Sequence, residues 1–223
     1  MTRRTPPMKR WLWLWLLVVL VLIQVFSASS PAQVQHGERI GTVTALEGRA
    51  TVQHYGGATS QPLRLQNPVY QQDVIRTEAA SKLQLTFIDA TVVNLSENST
   101  LEITRFVYSP EKQTQTTILN IPLGIFRTIV KKLSPQSTFE ITTPTAIAAI
   151  RGTDLMGEVK PESSAFVVLE GTVALFSVRT IFRGIVTLTE GLGSTVSRDQ
   201  PPSPPTKWGE ARIEALRRAT TPR

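Results

Sequence analysis

Cysteine is absent from the 223 residues. That rules out a disulfide framework, a thiol nucleophile and any cysteine metal site. A body of this length can bury an ordinary core without such staples, so the absence is compatible with export. Histidine is almost as scarce, with His36 and His54 the only two. A metal site needs three or four convergent ligands, and a serine triad would have to use one of these two rings; each reads as a solvated surface histidine. No Gly-x-Ser-x-Gly elbow surrounds any serine. Ser109-Pro110-Glu111-Lys112 matches Ser-x-x-Lys in letters only: it reads as a turn, and no Lys-Thr-Gly follows. Gly191-Leu192-Gly193 lacks the third glycine and the strand–helix setting of a dinucleotide loop. The chain is therefore read as non-enzymatic and without a cofactor. Paired carboxylates meeting across strands are invisible in a sequence, so a glycan-active enzyme on a β scaffold remains as an alternative.

A concentrated basic footprint is also missing. The formal charge of +7 comes from the two ends. Arg3, Arg4, Lys9 and Arg10 precede the hydrophobic segment with no acidic residue among them, and the tail from Lys207 carries five basic and two acidic residues. Residues 33–206 hold 15 of each sign. A neutral body with a short basic tail is not a nucleic-acid binder.

What is present begins with Trp11–Ile23, an unbroken apolar run extended by Val25 and Phe26. Small residues follow, from Ser27 to Ala32. A basic start, an apolar stretch and a small-residue end form a signal peptide, with Ala32 as the cleavage residue and Gln33 as the new terminus. The alternatives are an uncleaved membrane tether through Trp11 to Phe26, which the three tryptophans suit, and a buried helix. Thr2-Arg3-Arg4 is followed by Thr5-Pro6-Pro7, without the apolar residues of a twin-arginine signal. The expected location is exported: periplasmic or extracellular, or anchored in the inner membrane.

From Ile40 to Val196 the dominant period is two. Leu83, Leu85 and Phe87 alternate with Lys82, Gln84 and Thr86; Leu101 and Ile103 alternate with Glu102 and Thr104. Alternation puts one face of each strand in the core. Glu47-Gly48, Glu170-Gly171 and Glu190-Gly191 punctuate these runs where tight turns need positive φ. The expected fold is all-β, a sandwich or roll of many short, mostly antiparallel strands, with an N-terminal hydrophobic helix and a short C-terminal helix. Ile125, Ile129, Val130 and Leu133 between Pro122 and Pro135 fit either helical turns or an edge strand. Pro201, Pro202, Pro204 and Pro205 read as an extended linker. Trp208–Ala219 then reads as an amphipathic helix with Trp208, Ala211, Ala215 and Leu216 on one face and Glu214 paired with Arg218. The expected division is 1–32 signal or anchor, 33–198 β domain, 199–206 linker and 207–223 basic tail.

One stretch is familiar. Thr142-Thr143-Pro144-Thr145-Ala146-Ile147-Ala148-Ala149-Ile150-Arg151-Gly152-Thr153-Asp154-Leu155 resembles the most recognisable part of FecR domains, an apolar run closing on Arg-Gly-Thr. Asp73-Val74-Ile75-Arg76-Thr77 resembles the family's Gly-Asp-x-Ile-x-Thr, with Gln72 replacing the glycine. Phe87-Ile88-Asp89-Ala90-Thr91 resembles its Asp-Gly-Ser turn, again without the glycine. Glu97-Asn98-Ser99-Thr100-Leu101 resembles its polar turn before a strand, and Val168-Leu169-Glu170-Gly171-Thr172-Val173 its final hairpin. The resemblance spans residues 40–198. It implies an all-β extracytoplasmic domain whose best-understood relatives are membrane regulators that receive a receptor's signal and control a sigma factor through a cytoplasmic segment. Only ten residues precede the hydrophobic run here, too few for that segment. The resemblance thus points to the sensing or binding half, with an envelope protein or polysaccharide as partner; a membrane-tethered role in envelope signalling is the alternative. Within the motif, Pro144, Arg151, Gly152, Thr153, Asp154, Glu170 and Gly171 read as architectural: Pro144 limits pairing at a strand start, Gly152 permits a bend, and Arg151 ties a neighbouring carboxylate or carbonyl.

Overall fold

The structure, a computed structural model, describes residues 37–131, 134–179 and 184–223. The expected N-terminal helix and the cleavage residue Ala32 lie outside these residues.

Alternating sequence becomes two hydrogen-bonded layers. The first runs, in spatial order, Pro68–Tyr70 (β4), Arg39–Glu47 (β1), Lys82–Phe87 (β6), Val92–Leu95 (β7), the second half of Thr114–Ile129 (β9), Asp154–Lys160 (β12), Ser163–Glu170 (β13), Leu192–Ser197 (β16) and Thr206–Lys207 (β17). The second runs Gln61–Pro62 (β3), Ala50–Gln53 (β2), Val74–Thr77 (β5), Thr100–Ser109 (β8), the first half of β9, Thr138–Thr142 (β10), Ala146–Ile150 (β11), Thr172–Ser177 (β14) and Ile185–Thr189 (β15). Among the described pairings only β9 with β10 is parallel. Inward residues of both layers form one core, with Leu85, Phe126 and Phe166 from the first meeting Leu101, Ile141 and Leu175 from the second.

β9 belongs to both layers, and its burial explains how. Gln115, Thr117, Leu119 and Ile121 are buried on odd positions; Phe126 and Thr128 are buried on even ones. The phase slips across Pro122, Leu123 and Gly124, where φ at Gly124 is 114°. A slip of one residue turns the strand over, and here it carries the chain from one layer to the other. The stretch that the sequence left between helix and edge strand is thus a central strand up to Ile129, paired on both sides by β7 and β12.

The other passages between layers follow the same rule. Gly48, Gln66, Gln72, Ala80, Asn98, Gly152, Gly171 and Gly191 stand at the described crossings, and all have positive φ. The strand registers sort these corners. Gly48, Ala80, Asn98 and Gly124 lie along one long edge of the fold. Gly152, Gly171 and Gly191 lie along the opposite edge, the second edge below. The switch occurs because β9 crosses at one edge and β12, antiparallel to it, starts at the other.

The C-terminal segment is a strap. Ser203 donates its backbone N–H to Thr195 and its hydroxyl meets that of Ser194, holding the proline stretch along β16. Trp208 then lies over Gly193, where any Cβ would run into the indole. Helix Glu210–Thr220 (α1) packs Leu216 and Ile213, beside the preceding Trp208, against Met156, Val167 and Leu169 on the outside of the first layer. Its buried positions are Leu216 and Thr220. Ala211 and Ala215 are exposed instead, because the face is phased by docking and not by Trp208, which precedes the helix. Glu214 pairs with Arg217, one residue short of the expected Arg218. All described residues belong to one unit, His36–Arg223.

Candidate functional site along the second edge

The Arg-Gly-Thr stretch ends β11 and opens β12. Gly152 turns the chain with φ 65°, and Gly171 turns the next crossing directly above it with φ 89°. A Cβ on Gly171 would collide with the Gly152 carbonyl oxygen, so the two corners stack only with glycine there. Thr153 locks them. Its backbone exchanges hydrogen bonds with Val130 at 2.9 and 3.0 Å, and its hydroxyl donates to the Thr172 carbonyl at 3.0 Å. Upstream, Pro144 is exposed in the β10–β11 turn. Its neighbours Thr143 and Thr145 join Ser164 in a buried hydroxyl chain with both links at 2.8 Å. Ala146 and Ala148 point into the core, and Ala149 points outward from β11.

The ion pair of this region is not made by Arg151. Arg127 on β9 forks onto Asp154, with Nε to Oδ1 at 2.9 Å and Nη2 to Oδ2 at 2.6 Å. The hydrogen bonds to Asp154 hold the guanidinium above its ordinary value, against the opposing effect of burial. A raised arginine value adds stability that is complete at every ordinary pH and is lost only as pH climbs through it. Arg151 is exposed and, among the described residues, has no ion-pair partner. Glu170 and Glu190, at the next two corners, are also exposed and unpaired among the described residues. Three charges therefore stand on successive corners of a hydrogen-bonded frame.

On the same edge an open cavity of about 500 Å³ is lined by residues that include Asp89, Tyr108, Gln113, Gln115, Lys131 and Ser137. Lys131 follows Val130, the residue bonded to Thr153, so the cavity adjoins the Arg-Gly-Thr corner. Asp89 is already engaged, accepting from the N–H and hydroxyl of Thr91.

His54 departs from the surface reading. Its Nδ1 sits 2.7 Å from Asp73 Oδ1, and Asp73 Oδ2 accepts the Tyr70 N–H at 2.8 Å. Asp73 is buried, so this pair fastens the β4–β5 corner. No spacing rule links residues 54 and 73, and only the β2–β5 pairing brings them together. A groove of about 290 Å³ at the first edge is lined by two carboxylates, Glu47 and Glu97. Both hold structure: Glu47 takes Lys82 and the Arg223 N–H, and Glu97 caps the Ala80 N–H. Among the described residues no cluster of three His, Asp or Glu side chains is placed to hold a metal ion.

The corner stack falls within the segment that matches a known family: residues 73–174 match the model described as FecR protein. Over that segment the chain is similar to FecR proteins. The fold of this chain is similar to that in two crystal structures of a candidate anti-sigma factor from Parabacteroides distasonis. One is 16% identical with a TM-score of 0.52, covering 64% of this chain and 62% of that one. The other is 16% identical with a TM-score of 0.50, covering 64% and 63%. The chain thus spans less than two thirds of those proteins' length. Comparison with curated proteins returns no match.

Proposed function

We propose that this chain is a non-catalytic, extracytoplasmic interaction module of the FecR type, exported through Trp11–Phe26, that binds an envelope protein or cell-envelope polymer along its second edge. The observation that carries the reading is the row Arg151, Glu170 and Glu190, exposed and, among the described residues, without ion-pair partners; the Gly152–Gly171 stack and Thr153 hold the first two corners, and the Gly191 N–H bond to the Val168 carbonyl holds the third. Charges on a fixed frame lose little entropy on binding and set which partner is accepted. The test is recovery from envelope extracts with the full chain as bait, beside Arg151→Glu combined with Glu170→Lys. Both positions are solvated, so the variant is expected to fold and to lose the recovered species. Equal recovery by both baits would remove the second edge as the binding face.

A second reading is a membrane-tethered component of envelope signalling that acts through a partner. It draws support from the fold shared with candidate anti-sigma factors. Fractionation separates the two: a chain beginning near Gln33 and free of the membrane favours the diffusing module, and an intact chain in the membrane fraction favours the tether.

A further inference from the structure

Two layers present four sheet edges, and three of them are blunted. β4 has three residues and starts at Pro68; β3 has two and ends at Pro62. β17 has two residues and follows the strap with its four prolines. Short strands and proline are the usual protection against strand addition. The fourth edge, β15, has neither. It reads Ile185-Val186-Thr187-Leu188-Thr189, without proline or charge, and among the described residues β14 is its only strand partner. Pro201 and Pro202 reach Gly184, the residue before it. Ile185 is 60% exposed.

We infer that β15 pairs antiparallel with β15 of a second copy of this chain, about a two-fold axis at Thr187. The strand is its own complement in that register. Val186 meets the partner's Leu188 on the inner face, and Ile185 meets the partner's Thr189 on the outer face. Leu188 is already fully buried, so what pairing covers is Val186 at the margin of the core and Ile185 on the outer face. On the outer face the registers align Ile147, Phe176 and Ile185 in one apolar row that runs to this edge. A neutral strand brings no repulsion to its own copy and no charge to select a different partner. Two-fold, self-complementary contacts are the commonest oligomer geometry. This inference stands apart from the proposed function, which uses the second edge.

The lack of cysteine makes the test clean. Residues facing each other across an antiparallel pair have Cα atoms about 4.5–5.5 Å apart, within the range of about 4.4–6.8 Å that a disulfide spans. In the full chain, Thr187→Cys is expected to give a reducible covalent dimer on mild oxidation, while Gln61→Cys on the blunted β3 edge stays monomeric. The unsubstituted chain is expected to sediment at twice the monomer mass. Thr187→Lys, which sets two lysines face to face, is expected to weaken the dimer about tenfold or more. A monomeric unsubstituted chain, a dimer indifferent to Thr187→Lys, or equal cross-linking at positions 61 and 187 would each overturn the inference. The first of these outcomes would leave β15 to an extended segment of another protein.

Discussion

At Gln72 and Ala90 the backbone has φ of 66° and 64°, a conformation that costs a side-chain-bearing residue roughly 1–2 kcal/mol. These are the two positions where the family pattern that the sequence resembles has glycine. Gln72→Gly and Ala90→Gly are each expected to stabilise the fold by about 0.5–1 kcal/mol, the relief of strain outweighing the greater freedom of unfolded glycine. Thermal unfolding checks this, with an expected rise of about 1–3 °C for each; a fall in midpoint would mean that the side chains make contacts worth more than the strain. Thr128 is a second site of unused stability. It lies buried on β9, and among the described residues its hydroxyl has no hydrogen-bond partner. Thr128→Val removes an unsatisfied polar atom at nearly constant shape, and a gain of about 1 kcal/mol in urea unfolding is expected. No gain would mean that the hydroxyl is satisfied in solution.

The strap is the element whose role emerges only in three dimensions. As a string of prolines and a short amphipathic segment it reads as linker and tail. Eleven residues of helix are marginal alone, so its order comes from docking. Trp208 supplies most of that: its indole covers Gly193, and the Arg212 guanidinium stacks on it at 3.5 Å while reaching Glu158 at 3.6 Å. Trp208→Ala is expected to cost about 3 kcal/mol, in the range for removing a large buried aromatic, and to make α1 susceptible to proteolysis ahead of the body. Unfolding midpoints and limited digestion read these separately. An unchanged midpoint with a cleaved helix would mean that the strap is an accessory that the β body does not need. β9 teaches the same lesson from the other side: its phase slip at Pro122–Gly124 is written in the residues, but an isolated reading of Ile125–Val130 finds helical spacing there as well.

For the whole molecule, the division between sequence and structure follows the range of the physics. Local rules were legible early: period-two alternation for the strands, glycine at Gly48, Gly152, Gly171 and Gly191 for the corners, and the ordered FecR-like stretches from Asp73 to Val173. Those signals act over a few residues, and the all-β body bears them out. Contacts between distant residues were not legible. The Arg127–Asp154 fork, the His54–Asp73 pair and the stacking of Gly171 on the Gly152 carbonyl join residues that only the strand order brings together. Arg151 shows the limit most clearly. Its place in the motif suggested a structural tie, yet β9 had already delivered Arg127 to the carboxylate, and among the described residues Arg151 has no ion-pair partner. The sequence by itself determined the strand pattern, the turning points and the absence of cysteine chemistry, because each depends on residue type and short spacing. Only the tertiary structure decided which charges are paired, which edges are closed and where the strap lies, because those depend on which strands become neighbours.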